Sequence, residues 1–454
     1  MYPIPTALIA RDARLNWDFF FFYLNFFSIS SALSDFIPPS LSASTSFAFA
    51  RMSKTFLPFA ENPLSTSGDY VFHLAPISQG LVASMSNNTV HLLAYDPLTF
   101  KTSPSLRVIE GAHSAGSSIT GLKAVDANTV VSTSDAGEIR LWDFRVSNSN
   151  RPQAEFRVLP PQNFGKKTDK PMPILSVDAL AQRIAVGTEL VGVDAGVHIF
   201  DLRGGSSEPA VSYVDSHNDD VTEIKFHPTD ANALLSGSTD GLVNVYNTTI
   251  ADEDEAVYQT INHGASIHST GFLAEKRLYA LSHMETLSVY QVADPDANVP
   301  EPAPVEFDDV RESWGCEYVI DVCPGYVAVG SHPEEDHAAQ NFSLISFLNE
   351  TPDLANRLVF QGGHGEEVVR SLYIDDRSQV VYSGGEDGIV RVWKAEGLDC
   401  SKSYFSATPW RTEDAMEVDN DDNAVDEKKE KKEKKDKKHK KDKKHKKEKR
   451  FKPY

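Results

Sequence analysis

Short apolar runs separated by small polar turns recur along most of the chain, and Ala233 to Asn247 (ALLSGSTDGLVNVYN) shows the unit most plainly. Two apolar segments, Ala233 to Leu235 and Leu242 to Tyr246, flank a turn carrying Thr239-Asp240-Gly241, which predicts an antiparallel strand pair. Upstream, His217-Asn218-Asp219-Asp220 leads into a third alternating run, Val221 to Phe226. One such unit has too little apolar surface to stand alone, so its copies decide the fold.

A divergent first copy runs through Tyr70 to Ile77, Leu81 to Ser86 and Thr89 to Tyr95. The second is clear: His113, then Ile119 to Val125, Thr129 to Thr133, the turn Asp135-Ala136-Gly137, and Glu138-Ile139-Arg140-Leu141-Trp142-Asp143. The third follows a polar insert and ends on Phe200-Asp201; the fourth is the stretch above, with Tyr246-Asn247 in that place. In the fifth, His263 precedes the strands and Glu285 stands where an Asp is expected. The sixth opens on Trp314-Gly315-Cys316 and carries the insert HPEEDHAAQN between its last two strands. The seventh is strong again, from His364 through Val369 to Ile374 and Val380 to Tyr382 to Asp387-Gly388 and Val390-Arg391-Val392-Trp393.

The Trp142-Asp143 ending, with His before and Asp-x-Gly between, resembles the WD-repeat family, whose units form four-stranded β-propeller blades. The resemblance covers about residues 52–400 and implies an all-β, seven-bladed propeller. Segments such as Glu155 to Leu159, Ala210 to Val214, Ala256 to Ile261 and Arg357 to Phe360 supply fourth strands. The seventh unit lacks one, which Lys54 to Phe59 is placed to lend; Tyr404-Phe405 is the alternative donor. It also implies a hydrogen-bonded chain of His, Ser or Thr, Asp and Trp inside a blade, carried here by His113, Asp135 and Trp142, by His217 and Asp240, and by His364, Asp387 and Trp393. Recurrence of these residues argues for structure, because a catalytic pair is needed once. The chain is therefore read as no enzyme.

Charge divides the chain. From Lys428 onward there are 17 Lys or Arg against 5 Asp or Glu, a segment of +12, which leaves −33 for the remainder of a chain at −21. Residues Lys428 to Glu448 are Lys-Lys-x triplets without an apolar stripe, and Glu413 to Glu427 holds eight acids and no base, so 401–454 is read as a disordered acidic-then-basic tail. Its Lys428, Lys434, Lys440, Lys446, Lys449 and Arg450 are of the type that directs nuclear or nucleolar localisation and contacts polyanions without sequence preference. Residues 1–51, with FFFFYLNFFSISSAL after Arg11 and Arg14, read either as a secretory signal or as a segment outside the working protein, since Met52 opens a conventional polar start. Cys316, Cys323 and Cys400 form no disulfide framework or zinc motif.

No phosphate loop or dinucleotide fingerprint occurs, so no cofactor is implied, and the metal-capable side chains of His332 to His337 read as a solvated turn. Trp314, with Arg311 beside it, and Arg370 are candidate partner-binding residues in the connections entering the sixth and seventh units; Trp314 reads equally as an indole tucked into the gap left by the missing His. The acidic body and basic tail are similar in kind to nuclear WD-repeat proteins, the WD repeat-containing protein 89 subfamily among them. That likeness implies an interaction scaffold in the nucleus or cytoplasm, monomeric within a larger complex, with other proteins as partners and no membrane. A ribosome-assembly or RNA-associated role through the tail is the alternative; a secretory-pathway protein or propeller-borne hydrolase is a third, requiring a genuine signal and carboxylates in the central channel.

Overall fold

The computed structural model describes residues 54–65, 67–94, 106–146, 150–160, 170–293, 302–323, 325–331, 341–395 and Phe405. The 1–51 extension, the insert His332 to His337 and the basic tail from Lys428 to Arg450 lie outside the described residues.

Strand β1 (Lys54–Pro63) is followed by blade 1, made of β2 (Val71–Ile77), β3 (Gly80–Met85), β4 (Thr89–Ala94) and β5 (Arg107–Glu110). Blade 2 is β6 (Ile119–Ala124), β7 (Thr129–Ser134), β8 (Glu138–Asp143) and β9 (Ala154–Arg157). Blade 3 is β10 (Ile174–Leu180), β11 (Arg183–Thr188), β12 (Val197–Asp201) and β13 (Val211–Tyr213). Blade 4 is β14 (Val221–Phe226), β15 (Ala233–Ser238), β16 (Leu242–Asn247) and, after the short helix α1 (Glu253–Ala256), β17 (Val257–Asn262). Blade 5 is β18 (Ile267–Ala274), β19 (Arg277–Ser282), β20 (Thr286–Gln291) and β21 (Val305–Asp309). Helix α2 (Val310–Trp314) leads to blade 6, made of β22 (Tyr318–Cys323), β23 (Tyr326–Gly330), β24 (Phe342–Leu348) and β25 (Thr351–Phe360). Blade 7 begins with β26 (Val369–Asp375), β27 (Val380–Gly385) and β28 (Ile389–Ala395).

Each blade is an antiparallel meander in chain order, and β1 completes the last one. It runs antiparallel to β28, from Phe56 opposite Ala395 to Pro63 opposite Ile389. Its first residues also run parallel to β25, Lys54 opposite Leu358 and Phe56 opposite Phe360, so blades 6 and 7 form one eight-stranded sheet. The pairing consumes the edge that β28 would otherwise expose.

Seven hydrophobic clusters hold the blades together, and each is shared by two neighbours. The ring closes where Val71, Leu81 and Met85 of blade 1 meet Val380, Tyr382 and Val390 of blade 7. The second strand of a blade lies between two such clusters, which is why TVVSTS in β7 and VVYSGG in β27 are buried throughout. Small residues end these strands because the next blade comes close. A Cβ on Gly237 would lie 2.6 Å from Ile267 Cγ2, and one on Gly384 2.5 Å from Val71 Cγ1. Sinking each of these β-branched side chains into the neighbouring blade contributes about 1.5–3 kcal/mol. The protein is an all-β, seven-bladed propeller.

The registers also sort the loops. First strands begin where second strands end, Val71 opposite Met85 and Val221 opposite Ser238. The turns between second and third strands therefore share a face with the connections between blades. Turns between first and second strands lie on the opposite face.

Candidate functional site

Three blades carry the same buried chain of polar side chains. In blade 2, Trp142 Nε1 donates to Ser132 Oγ at 2.8 Å, Ser132 Oγ lies 2.7 Å from His113 Nε2, and His113 Nδ1 lies 3.2 Å from Glu138 Oε2. In blade 4, Ser236 Oγ is 2.6 Å from His217 Nε2, whose Nδ1 is 3.0 Å from Asp240 Oδ2, and Tyr246 Oη is 3.0 Å from Ser236 Oγ. In blade 7, Trp393 Nε1 donates to Ser383 Oγ at 2.7 Å, Ser383 Oγ lies 2.7 Å from His364 Nε2, and His364 Nδ1 lies 2.7 Å from Asp387 Oδ1. Arg391 Nη1 also reaches Asp387, and its Nε donates to Glu61 Oε1 of β1 at 2.9 Å.

Burial sets the protonation states. It pushes His113 down to about 4, with Arg140 adding to the effect, and it also lowers His364. A neutral His113 accepts a hydrogen bond from the Ser132 hydroxyl at Nε2 and donates from Nδ1, the order that follows from the indole being a donor only. Burial raises the Tyr246 phenol to about 12, so it stays protonated in the indole's place. The carboxylates go the other way. Burial alone would raise Asp240 and Asp387, but hydrogen bonds and charge from His217, or from His364 and Arg391, hold both below the usual carboxylate range.

Serine, imidazole and carboxylate at these distances have the connectivity of a hydrolytic triad. Their surroundings do not suit a nucleophile. Ser132, Ser236 and Ser383 are fully buried, and each is bonded to an indole or phenol of its own blade as well as to its histidine. No substrate carbonyl can reach them. The chains fasten the loop before a blade to the turn and strand within it.

A cavity of about 480 Å³ runs through the ring, lined by residues of all seven blades, Phe72, Thr120, Leu175, Thr222, His268, Ile320 and Arg370 among them. Lys225 and Glu223 also line it, with Lys225 Nζ 3.2 Å from Glu223 Oε1. Asp178 accepts from the Phe226 N–H and Asp321 from the Val322 N–H, both at 2.8 Å. Burial would lower Lys225, but Glu223, Tyr279 and Asp178 hold its ammonium well above its ordinary value. Lys123 is pushed down, first by Lys225 and then by burial. The channel carboxylates that a hydrolase would use are thus engaged in a girdle of mixed charge. Among the described residues, no group of three or more His, Cys, Asp or Glu is placed to hold a metal, and no helix is long and apolar enough to cross a membrane.

The family described as WD domain, G-beta repeat matches residues 209–247 and 356–394. An uncharacterised WD repeat-containing protein of Saccharomyces cerevisiae is 37% identical over 351 residues, covering 76% of this chain and 82% of that protein. The chain belongs to the WD-repeat family. A WD repeat-containing protein 89 homologue of Dictyostelium discoideum is 30% identical over 227 residues, 49% of this chain and 55% of that protein. A nuclear pore complex protein nup43 of the same organism is 28% identical over 132 residues, 29% of this chain and 28% of that protein. WD-repeat propellers act in general as platforms for other proteins.

Three departures from the WD-repeat pattern correct the sequence reading. Asp135 is exposed and accepts from the Ser118 N–H at 2.9 Å, outside the blade 2 chain; Glu138 replaces it. The reason is position. Asp240 and Asp387 directly precede a glycine, whereas in blade 2 that place is Ala136, and the carboxylate arrives from the first residue of β8 on a longer side chain. Burial would raise Glu138, but Ser114, Arg140 and His113 together hold it low. Glu138→Ala is expected to cost about 2–4 kcal/mol by leaving His113 and Arg140 facing an empty site, against under about 1 kcal/mol for Asp135→Ala. Urea unfolding of the two variants checks this, and equal losses would reject the reassignment.

Glu285 is the second departure. At φ 59° it fills the left-handed place that Gly241 and Gly388 fill elsewhere, and its Oε2 accepts from the Val319 N–H of blade 6 at 3.1 Å. His263 is left to Thr286 Oγ1 and Tyr290 Oη, each at 3.1 Å. Trp314 is the third. It ends helix α2, which Asp309 caps by accepting from the Arg311 N–H and which Gly315 closes in the left-handed region. The indole is only 3% exposed and packs with Phe307 and Phe347 at ring distances of 5.7 and 6.0 Å, so it is core and no surface anchor. Arg311 remains partly exposed but is held by Asp309 at 2.6 Å, and Arg370, at the channel mouth, by Glu386 through Nε at 2.7 Å.

Proposed function

We propose that this chain is a non-enzymatic protein-interaction platform of the nucleus, working through the face that carries its blade-to-blade connections. One observation carries the reading: the recurring polar residues of blades 2, 4 and 7 are spent inside the blades, which leaves the connections as the part of the molecule free to engage a partner. On both sides of blade 6 these connections expose Asp308, Asp309, Glu312, Glu317, Glu366 and Glu367. Their basic side chains, Arg311 and Arg370, are each occupied by a carboxylate. A surface of this sign repels nucleic acid and attracts cationic polypeptide. The nuclear assignment is supported by the basic block Lys428 to Arg450 and by the partial likeness to a nuclear pore protein.

Affinity purification with and without nuclease tests the reading, using wild type and the Asp308→Lys, Glu312→Lys, Glu367→Lys triple variant. Partners that survive nuclease and are lost in the variant, with the unfolding midpoint unchanged, are expected. Partners retained by the variant would reject the face, and partners lost to nuclease would favour the RNA-associated alternative. Removal of residues 428–454 is expected to abolish nuclear accumulation of a fluorescent fusion, and unaltered accumulation would remove the tail from the argument.

A further inference from the structure

The chain returns to the fold after β28. Phe405 is 1% exposed and joins Phe56, Tyr326, Phe342, Phe360 and Trp393 in the cluster between blades 6 and 7. Its ring lies 5.7 Å from Phe56 of β1 and 6.0 Å from Tyr326 of blade 6. Phe56 in turn stacks on Phe360 at 4.8 Å, so the closing strand has an aromatic of β25 and an aromatic of the post-propeller segment against the same side chain.

The backbone of Phe405 is held as deliberately as its ring. Its N–H donates to Gln379 Oε1 at 2.9 Å, and Gln379 Nε2 donates to its carbonyl at 3.3 Å. One side-chain amide thereby satisfies both main-chain groups, as a neighbouring strand would. Gln379 sits between β26 and β27 at φ 57°, a left-handed conformation that a glutamine adopts only at a cost and that glycine adopts freely. The turn is fixed there by Asp375, which accepts from the Arg377 N–H at 3.1 Å and the Ser378 hydroxyl at 2.5 Å. A side chain kept at a strained position where glycine would fit points to use of that side chain.

We propose that Phe405 locks β1 into the seam between blades 6 and 7, and that Gln379 is its clasp. Gln379 belongs to a turn between first and second strands, so it holds Phe405 from the face opposite the acidic connections. Release of Phe405 frees β1 before any other strand, because β1 is the one strand of its sheet not joined to a neighbour by a turn.

Hydrogen exchange of the full chain, read by mass spectrometry, tests it. Phe405→Ala is expected to speed exchange of the Lys54–Pro63 amides about tenfold or more while those of blade 4, Val221–Asn262, keep their wild-type rates. Gln379→Gly removes the clasp and relieves the backbone, so faster exchange in β1 with this variant assigns the effect to the lost amide. Wild-type protection of β1 in both variants would overturn the proposal. So would equal acceleration in all seven blades, which would make Phe405 ordinary core filling. Should Phe405→Ala fail to fold, Gln379→Gly with Phe405→Leu gives the same decision.

Discussion

Trp393→Ala lowers the free energy of unfolding by about 3–5 kcal/mol, the largest loss expected of a single substitution here. Its indole is fully buried, meets Phe342 and Phe360 edge-on at 5.3 and 5.6 Å, and donates to Ser383. Truncation removes aromatic contacts from the closing seam and one end of the blade 7 chain together. Trp393→Phe keeps much of the ring volume and loses the N–H, so about 1–2 kcal/mol is expected for the hydrogen bond and the altered shape. Denaturant titration of both variants checks the values. A loss below about 1 kcal/mol for the alanine variant would mean that the seam is not held by this residue.

Acid is expected to unfold the protein well above the range in which carboxylates alone titrate. Burial holds His73, His113 and His198 at about 4 in the fold, with nearby Lys123 adding to the effect at His73 and Arg140 at His113, against an ordinary value of 6.5. A base with a depressed folded value refuses a proton that the unfolded chain accepts. Its contribution is therefore complete above 6.5 and is lost as pH falls from 6.5 towards 4. Three such groups give a slope of up to about 4 kcal/mol per pH unit in that window. Asp240 and Asp387, depressed by their histidines, extend the loss below it. Urea midpoints at pH 7.5 and pH 5 measure the effect, and equal midpoints would show that these imidazoles are not buried neutral.

The inner three strands of every blade were legible because their apolar runs are bounded by turn residues, and the strand lent to blade 7 was legible because Lys54 to Phe59 had no other place to go. The outer strands were harder. Arg107–Glu110 and Val305–Asp309 are short, mostly half-buried or exposed, and follow polar stretches, so their period carries little signal. The Ser or Thr of the chain was expected by type but given no position, although the spacing of the serines is constant. Ser132, Ser236 and Ser383 each follow a histidine by 19 residues and precede Trp142, Tyr246 or Trp393 by 10. Counting from the histidine would also have shown that Ala136, and not Asp135, stands at the place of Asp240 and Asp387. Of the two readings open for Trp314, burial holds, because a single helical turn started by Asp309 and stopped by Gly315 turns the indole into the core.

Strand β1 carries a consequence for biosynthesis. It leaves the ribosome before any blade exists, yet its hydrogen-bond partner β28 is made 326 residues after Pro63. At about 5–20 residues per second the wait is roughly 15 to 65 s, during which the β28 edge that KTFLPFAENP pairs along is missing. The nascent protein therefore passes through an open ring whose two ends offer unsatisfied strands to any neighbour. Pro58 and Pro63 in β1 each lack the N–H that a foreign strand would need, which blunts one of those ends until its own partner arrives.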